Sequence, residues 1–204
     1  MRGSAGLTTC LWGSGFTVPL PLPCSLVNFG TTSVHYLTSI DQPTSVMILG
    51  FPLDELPAGA RIQTAWLSVR VQALEPAGPG VNLKAYAIGP ERFAEGNADG
   101  GLNTEPGITW DCFAQDGQAC LPWPGGAGPL EGAVFVGAVV LDALPNGFES
   151  VELSNTQQLE RWSEVEDYAV YAVSAEWPRA DELFTFARES GDSTPVLELE
   201  YCVP

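Results

Sequence analysis

Phe184-Thr185-Phe186-Ala187-Arg188-Glu189, then Ser190-Gly191-Asp192-Ser193-Thr194, then Pro195-Val196-Leu197-Glu198-Leu199-Glu200-Tyr201, is the stretch on which the fold turns. Two short alternating runs flank a polar turn rich in Gly, Ser and Asp, which predicts the closing hairpin of an antiparallel sheet. Upstream, Met47-Ile48-Leu49-Gly50-Phe51-Pro52-Leu53 leads into the turn Leu56-Pro57-Ala58-Gly59, and Thr64 to Val71 alternates again. Working outward, residues 33 to 37, 45 to 52, 62 to 73, 82 to 88, 107 to 110, 132 to 141, 150 to 153 and 168 to 175 read as further strands, by alternation or by apolar runs of strand length. Thr156 to Trp162 predicts one or two helical turns capped by Ser154 or Asn155. Roughly ten short strands separated by turns, with helix confined to fragments, favour an all-β antiparallel sandwich of jelly-roll topology.

The ends and the long loops are read by composition. In residues 1 to 27, Pro19, Pro21 and Pro23 alternate and remove backbone donors along one edge, so this piece is expected to be an extended arm over the domain and not a central strand. Residues 28 to 204 then form one domain, long enough to bury a real core. Residues 89 to 103 and 112 to 128 are expected to be long loops. The net charge is −17 with Lys84 the one lysine, so nucleic acid is excluded as a partner, and an anionic surface meets the same repulsion. Neither a membrane-length apolar stretch nor the apolar core of a signal peptide is present in this chain.

Five cysteines leave at least one unpaired within the chain. Cys112 and Cys120 bracket a short polar loop that a disulfide would close, and Cys10 with Cys24 could staple the N-terminal segment, which leaves Cys202 over. The alternative is five reduced, mostly buried thiols. Zinc is disfavoured, because Cys-x-x-Cys spacing is missing and His35 is the one histidine.

The order of signals resembles the carbohydrate-binding-module-like family called DNRLRE domains, related to disaggregatases, over about residues 28 to 204. Asn28-Phe29-Gly30-Thr31, Leu56-Pro57-Ala58-Gly59-Ala60, Thr64-Ala65-Trp66-Leu67, Ile108-Thr109-Trp110, Phe186-Ala187-Arg188-Glu189 and Pro195-Val196-Leu197 carry the resemblance. Gly50, Pro52 and Ala187 depart from its pattern. The resemblance implies a β-sandwich associated with carbohydrate recognition, usually appended to other domains and not itself catalytic. Phe51, Leu53, Trp66 and Leu67 suit its core.

Three sets of side chains stand as candidates. Trp123, set between Pro122 and Pro124, heads the aromatic residues that could stack on a sugar ring, with Trp12 and Trp177 beside it; the alternative for Trp123 is a loop plug. Arg188 and Glu189 are strand neighbours, so one faces inward and needs a partner such as Asp54 or Asp111 in a structural ion pair. Glu91, Glu95, Asp99, Asp111 and Asp116 offer oxygen ligands for a structural calcium ion, or else form a solvated acidic surface; no other cofactor is expected.

Catalytic motifs are missing, so the chain is expected not to be an enzyme, and a small polysaccharide lyase or hydrolase ranks last. The leading expectation is a structural or adhesion protein displayed on an external assembly, a phage virion decoration or tail-associated protein with capsid or tail partners. It would lie outside the cell or on the virion surface, released by lysis without a secretion signal. The alternative is a polysaccharide-binding module of a secreted carbohydrate-active enzyme or adhesin.

Overall fold

The 13-residue alternation from Arg61 to Ala73 places Ala65, Leu67, Val69 and Val71 on one face, all buried, and forms the spine of a sheet. The computed structural model describes residues 2–4, 7–12, 34–37, 39–40, 42–43, 45–73, 81–96, 107–109, 111–116, 119–123, 125–126, 128–142, 145–176, 183–186 and 193–204. They form β1 (Arg2–Ser4), β2 (Leu7–Trp12), β3 (Val34–Leu37), β4 (Ser39–Ile40), β5 (Gln42–Pro43), β6 (Ser45–Pro52), β7 (Arg61–Ala73), β8 (Asn82–Gly89), β9 (Cys112–Asp116), β10 (Ala119–Pro122), β11 (Val134–Val140), β12 (Asn146–Glu152), α1 (Thr156–Val165), β13 (Tyr168–Glu176), β14 (Leu183–Phe186) and β15 (Val196–Cys202).

Two antiparallel sheets face each other. In the first, β7 carries β12 on one edge and both β15 and β14 on the other, with β1 beyond β15 and β3 beyond β14. The second runs β11-β8-β13-β6-β2. The chain crosses between sheets at β6, β7 and β8, and again at β11, β12 and β13, and β13 inserts between β6 and β8. That interleaved wrapping is the jelly-roll pattern expected from the strand spacing.

The closing hairpin is corrected. β14 and β15 do not pair with each other; β14 lies along residues 71 to 73 of β7 and β15 along residues 61 to 68, running in the same direction. The two lie on the same side of β7 as one interrupted strand, with β1 and β3 as their further neighbours. Arg70 stands at the gap and donates from Nη1 to Ser193 Oγ at 2.7 Å, tying the residues that lead into β15 to β7. Alternation reports which side chains share a face but is silent on whether the chain turns back. The expected strand at 107 to 110 is, among the described residues, only an isolated bridge from Gly107 to Glu95.

Within the stretch read as an arm, residues 2–4 pair with β15 and residues 7–12 with β6, so the segment supplies an edge strand to each sheet. Pro19, Pro21 and Pro23 lie outside the described residues.

The sandwich has two cores. The first lies between the sheets: Met47, Leu49 and Phe51 of β6, Leu67 and Val69 of β7, Leu83 and Ala85 of β8, Tyr171 and Val173 of β13, Leu197 and Leu199 of β15. At one end α1 closes it with Leu159 and Trp162. The Trp162 ring meets Tyr171 edge-on at 6.2 Å, and Asn155 lies within hydrogen-bond reach of the Tyr171 hydroxyl. Burial pushes the Tyr171 phenol well above its ordinary range.

The second core lies on the outer side of the second sheet. There Val46, Ile48, Tyr168, Val170 and Ala172 are covered by Phe93, Ile108, Phe113 and Trp123 from the long connection between β8 and β11. β13 is therefore buried on both faces from Tyr168 to Ala175. Gly137 lets β11 close on β12: a Cβ there would strike the Glu152 carbonyl, and Ser154 donates to the Val136 carbonyl from both its backbone N–H and its hydroxyl.

Candidate functional site

With the outer side of β6 and β13 covered, the outer face of the first sheet is a broad surface left to water among the described residues. Its side chains follow from register, because residues directly opposite on antiparallel strands share a face. Trp66 of β7 is opposite Glu152 of β12 on one side and Glu198 of β15 on the other. Ser68 is opposite Ser150 and Val196, and Arg70 is opposite Phe148.

Trp66 is half-buried, whereas Glu152, Glu198 and Ser150 are exposed and Phe148 is 48% exposed. Cross-strand neighbours stand about 5 Å apart, so the two glutamates flank the indole within about 10 Å of each other. The expectation that Trp66 belongs to the core is corrected. Its own alternation with Ser68, Arg70 and Gln72 carries the signal: it lies on the polar side of β7, opposite in phase to Leu67, Val69 and Val71.

Hydrogen bonds order this face. Thr64 Oγ1 donates to Glu200 Oε2 at 2.7 Å, and the hydroxyls of Ser68 and Ser150 are 2.7 Å apart. An aromatic ring flanked by carboxylates and hydroxyls can stack against the apolar face of a pyranose and accept hydrogen bonds from its hydroxyls.

The aromatic residues expected to bind sugar fall elsewhere. Trp123 is a plug, 2% exposed: its indole N–H donates to the Thr109 carbonyl at 3.0 Å, and its ring meets Phe113 edge-on at 5.3 Å. A ring held this way offers no face to a ligand, which corrects Trp123 as a stacking platform. Trp12 ends β2 opposite Ser45, and Trp177 lies outside the described residues.

The Cys112–Cys120 disulfide is present, with the Cα atoms 5.3 Å apart, and it ties the β9–β10 hairpin beneath which Trp123 sits. Cys202 is free and exposed; Cys24 lies outside the described residues, and Cys10 is on β2.

Arg188 and Glu189 also lie outside the described residues. Their expected partners Asp54 and Asp111 are exposed, which corrects both as members of a buried pair. Of the expected calcium ligands, Glu91 and Asp111 are exposed, Glu95 is buried, Asp116 ends β9, and Asp99 lies outside the described residues. No group of three or more His, Cys, Asp or Glu placed to hold a metal ion occurs among the described residues.

Other charged contacts are structural. Lys84 and Glu176 pair at 2.6 Å on the outer side of the second sheet; the hydrogen bond to Glu176 raises the Lys84 ammonium above its ordinary range. Arg92 lies over the Tyr168 ring, 4.8 Å from its centroid. A cleft of 430 Å³ between the start of β7 and α1 is lined by Arg61, Ile62, Thr156, Gln157, Glu160 and Arg161. Its carboxylate is committed: Glu160 accepts from Arg61 Nη1 at 3.0 Å and from the Ile62 N–H at 2.7 Å. Glu149 of β12 is held above the usual carboxylate range by burial, with the neighbouring charge of Asp142 adding to it.

No family model and no curated protein matches the chain. Among solved structures, the xyloglucanase domain of NopAA, a type three effector from Sinorhizobium fredii, in complex with cellobiose, aligns over 99% of this chain and 99% of its own, at 12% identity and a TM-score of 0.30. A likeness that distant carries no functional argument, and the all-β sandwich stands on the strands and their pairing.

Proposed function

We propose that the protein is a non-enzymatic, saccharide-binding β-sandwich acting outside the cell, and that its site is the outer face of the first sheet. The observation that carries this reading is Trp66 set between Glu152 and Glu198 on that face, with the Ser68 and Ser150 hydroxyls one row away. The ligand class is a neutral or amine-bearing polysaccharide; the acidic face and the net charge of −17 both act against uronates. The Cys112–Cys120 disulfide supports an oxidising compartment. No metal or cofactor is part of the proposal. The expected place on a phage virion gains nothing from the comparisons and is set aside.

A glycan array read by direct binding tests this, with the parent chain beside Trp66→Ala and Glu152→Gln. Trp66→Ala is expected to weaken binding by about 2 kcal/mol, some 30-fold, as truncation of a central tryptophan anchor does. Reducing-end release from any bound glycan should stay at background. Binding unchanged in Trp66→Ala would overturn the assignment of the face, and turnover of a bound glycan would overturn the non-enzymatic reading.

A further inference from the structure

Residues 2 to 12 act on both sheets at once. β1 adds to β15, the edge of the first sheet, through three register pairs, and β2 adds to β6, the edge of the second, through six from Leu7↔Gly50 to Trp12↔Ser45. Two residues separate β1 from β2, so the segment crosses the side of the sandwich like a clasp. Without β2, the backbone donors and acceptors along 45 to 50 of β6 would form an open strand edge in an otherwise finished sheet, a template for another strand of the same kind.

The clasp joins the rest of the chain through residues 13 to 33, roughly 20 residues, whose contour reaches about 70 Å. A 204-residue domain has a radius of gyration of only about 17 Å. The covalent reach therefore extends to the same edge on a copy packed alongside.

We propose that the clasp is exchangeable between copies: β1 and β2 of one chain complete β15 and β6 of a second copy, making strand-swapped dimers or chains of molecules. The competition is set by effective concentration. Attachment to the same chain gives a clasp an effective concentration at its own edges on the order of millimolar. Dilute protein closes on itself, and copies exchange strands where their local concentration approaches that value, as on a crowded surface. The inference rests on backbone pairing alone and is independent of saccharide binding.

A disulfide trap reads it directly. In a background carrying Cys10→Ser, Cys24→Ser and Cys202→Ser, with the Cys112–Cys120 bridge kept, one chain receives Trp12→Cys and another Ser45→Cys, the two positions being directly opposite in the β2–β6 register. The chains are mixed, unfolded with that bridge intact, and refolded at about 10 µM and at about 1 mM, bracketing the crossover. Non-reducing electrophoresis should show a covalent heterodimer whose share rises several-fold with concentration. A single chain bearing both substitutions, refolded dilute, should cross-link internally and run as a monomer, which establishes that the pair can bond. If that chain cross-links and the mixed chains never do, exchange is refuted. If neither cross-links, the β2–β6 pairing on which the proposal stands is itself wrong.

Discussion

Removing the Trp123 indole should open the outer core while leaving saccharide binding in place. Thr109 makes the site a buried node: its N–H donates to the Cys112 carbonyl at 2.9 Å, its hydroxyl accepts from the Cys112 N–H at 3.2 Å, and its carbonyl accepts the Trp123 indole N–H at 3.0 Å. Trp123→Phe keeps most of the apolar volume but leaves that carbonyl without its donor, at about 1 to 3 kcal/mol. Trp123→Ala also empties the space against Phe113, for a total of about 3 to 5 kcal/mol, a large share of the roughly 5 to 15 kcal/mol that holds a domain together. Urea denaturation at pH 7 with the disulfide intact measures the sum, and hydrogen exchange across residues 107 to 126 reports where it falls. Protection there should drop further than in β7. A loss below about 1 kcal/mol for Trp123→Ala would refute the plug. So would loss of glycan binding in Trp123→Phe with protection unchanged, since that would make the indole a ligand contact.

Other outcomes follow from single contacts. Glu149 has its carboxyl raised from its ordinary 4.5, so its contribution to stability is fully present below that value and is lost as pH rises through the raised one. Glu149→Gln should therefore melt higher than the parent at pH 7, and the gap should close below about pH 4; equal melting temperatures at pH 7 would contradict the burial argument. At Gly50, a Cβ would collide with the Tyr168 hydroxyl, so Gly50→Ala should displace that ring and cost about 1 to 3 kcal/mol in denaturant titration. The double change Cys112→Ser with Cys120→Ser should lower stability by about 2 to 3 kcal/mol through chain entropy, with the exchange-rate change centred on the β9–β10 hairpin.

The strands were legible by alternation where one face is wetter and by an unbroken apolar run where both faces are dry. Arg61–Ala73 and Asn82–Gly89 show the first pattern and Ser45–Pro52 the second, and the helix beginning at Thr156 was also foreseen. Partnership was not legible. The runs around 184 and 197 look like a hairpin because a turn-rich segment has the same composition whether the strand reverses or continues along the same neighbour. The first twelve residues were obscured by the prolines after them, which say nothing about the pairing of residues 2 to 12. Aromatic residues misled in a different way. Trp123 drew attention because its prolines and glycines mark a loop, yet loop aromatic side chains often plug a core. Trp66 was read as core because its strand looks apolar, although its phase with Ser68 and Arg70 set it on the outer face. The disulfide at Cys112 and Cys120 was legible because the two cysteines bracket a short polar loop that the bond closes, although the β9–β10 pairing around it was read as loop.

β13, dry on both sides from Tyr168 to Ala175, sets a condition on how the chain matures. The strand has no orientation in which half-finished neighbours would satisfy it. Until the connection carrying Phe93, Ile108 and Trp123 has settled, the outer flank of β13 presents Val170 and Ala172 beside Ile48, a flat apolar sheet of the sort that adheres to its own kind. Any folding intermediate in which the inner sandwich is complete and the outer layer is not would expose that surface. Substitutions in the outer layer that are nearly silent in the purified, folded protein should therefore surface as lost yield during synthesis.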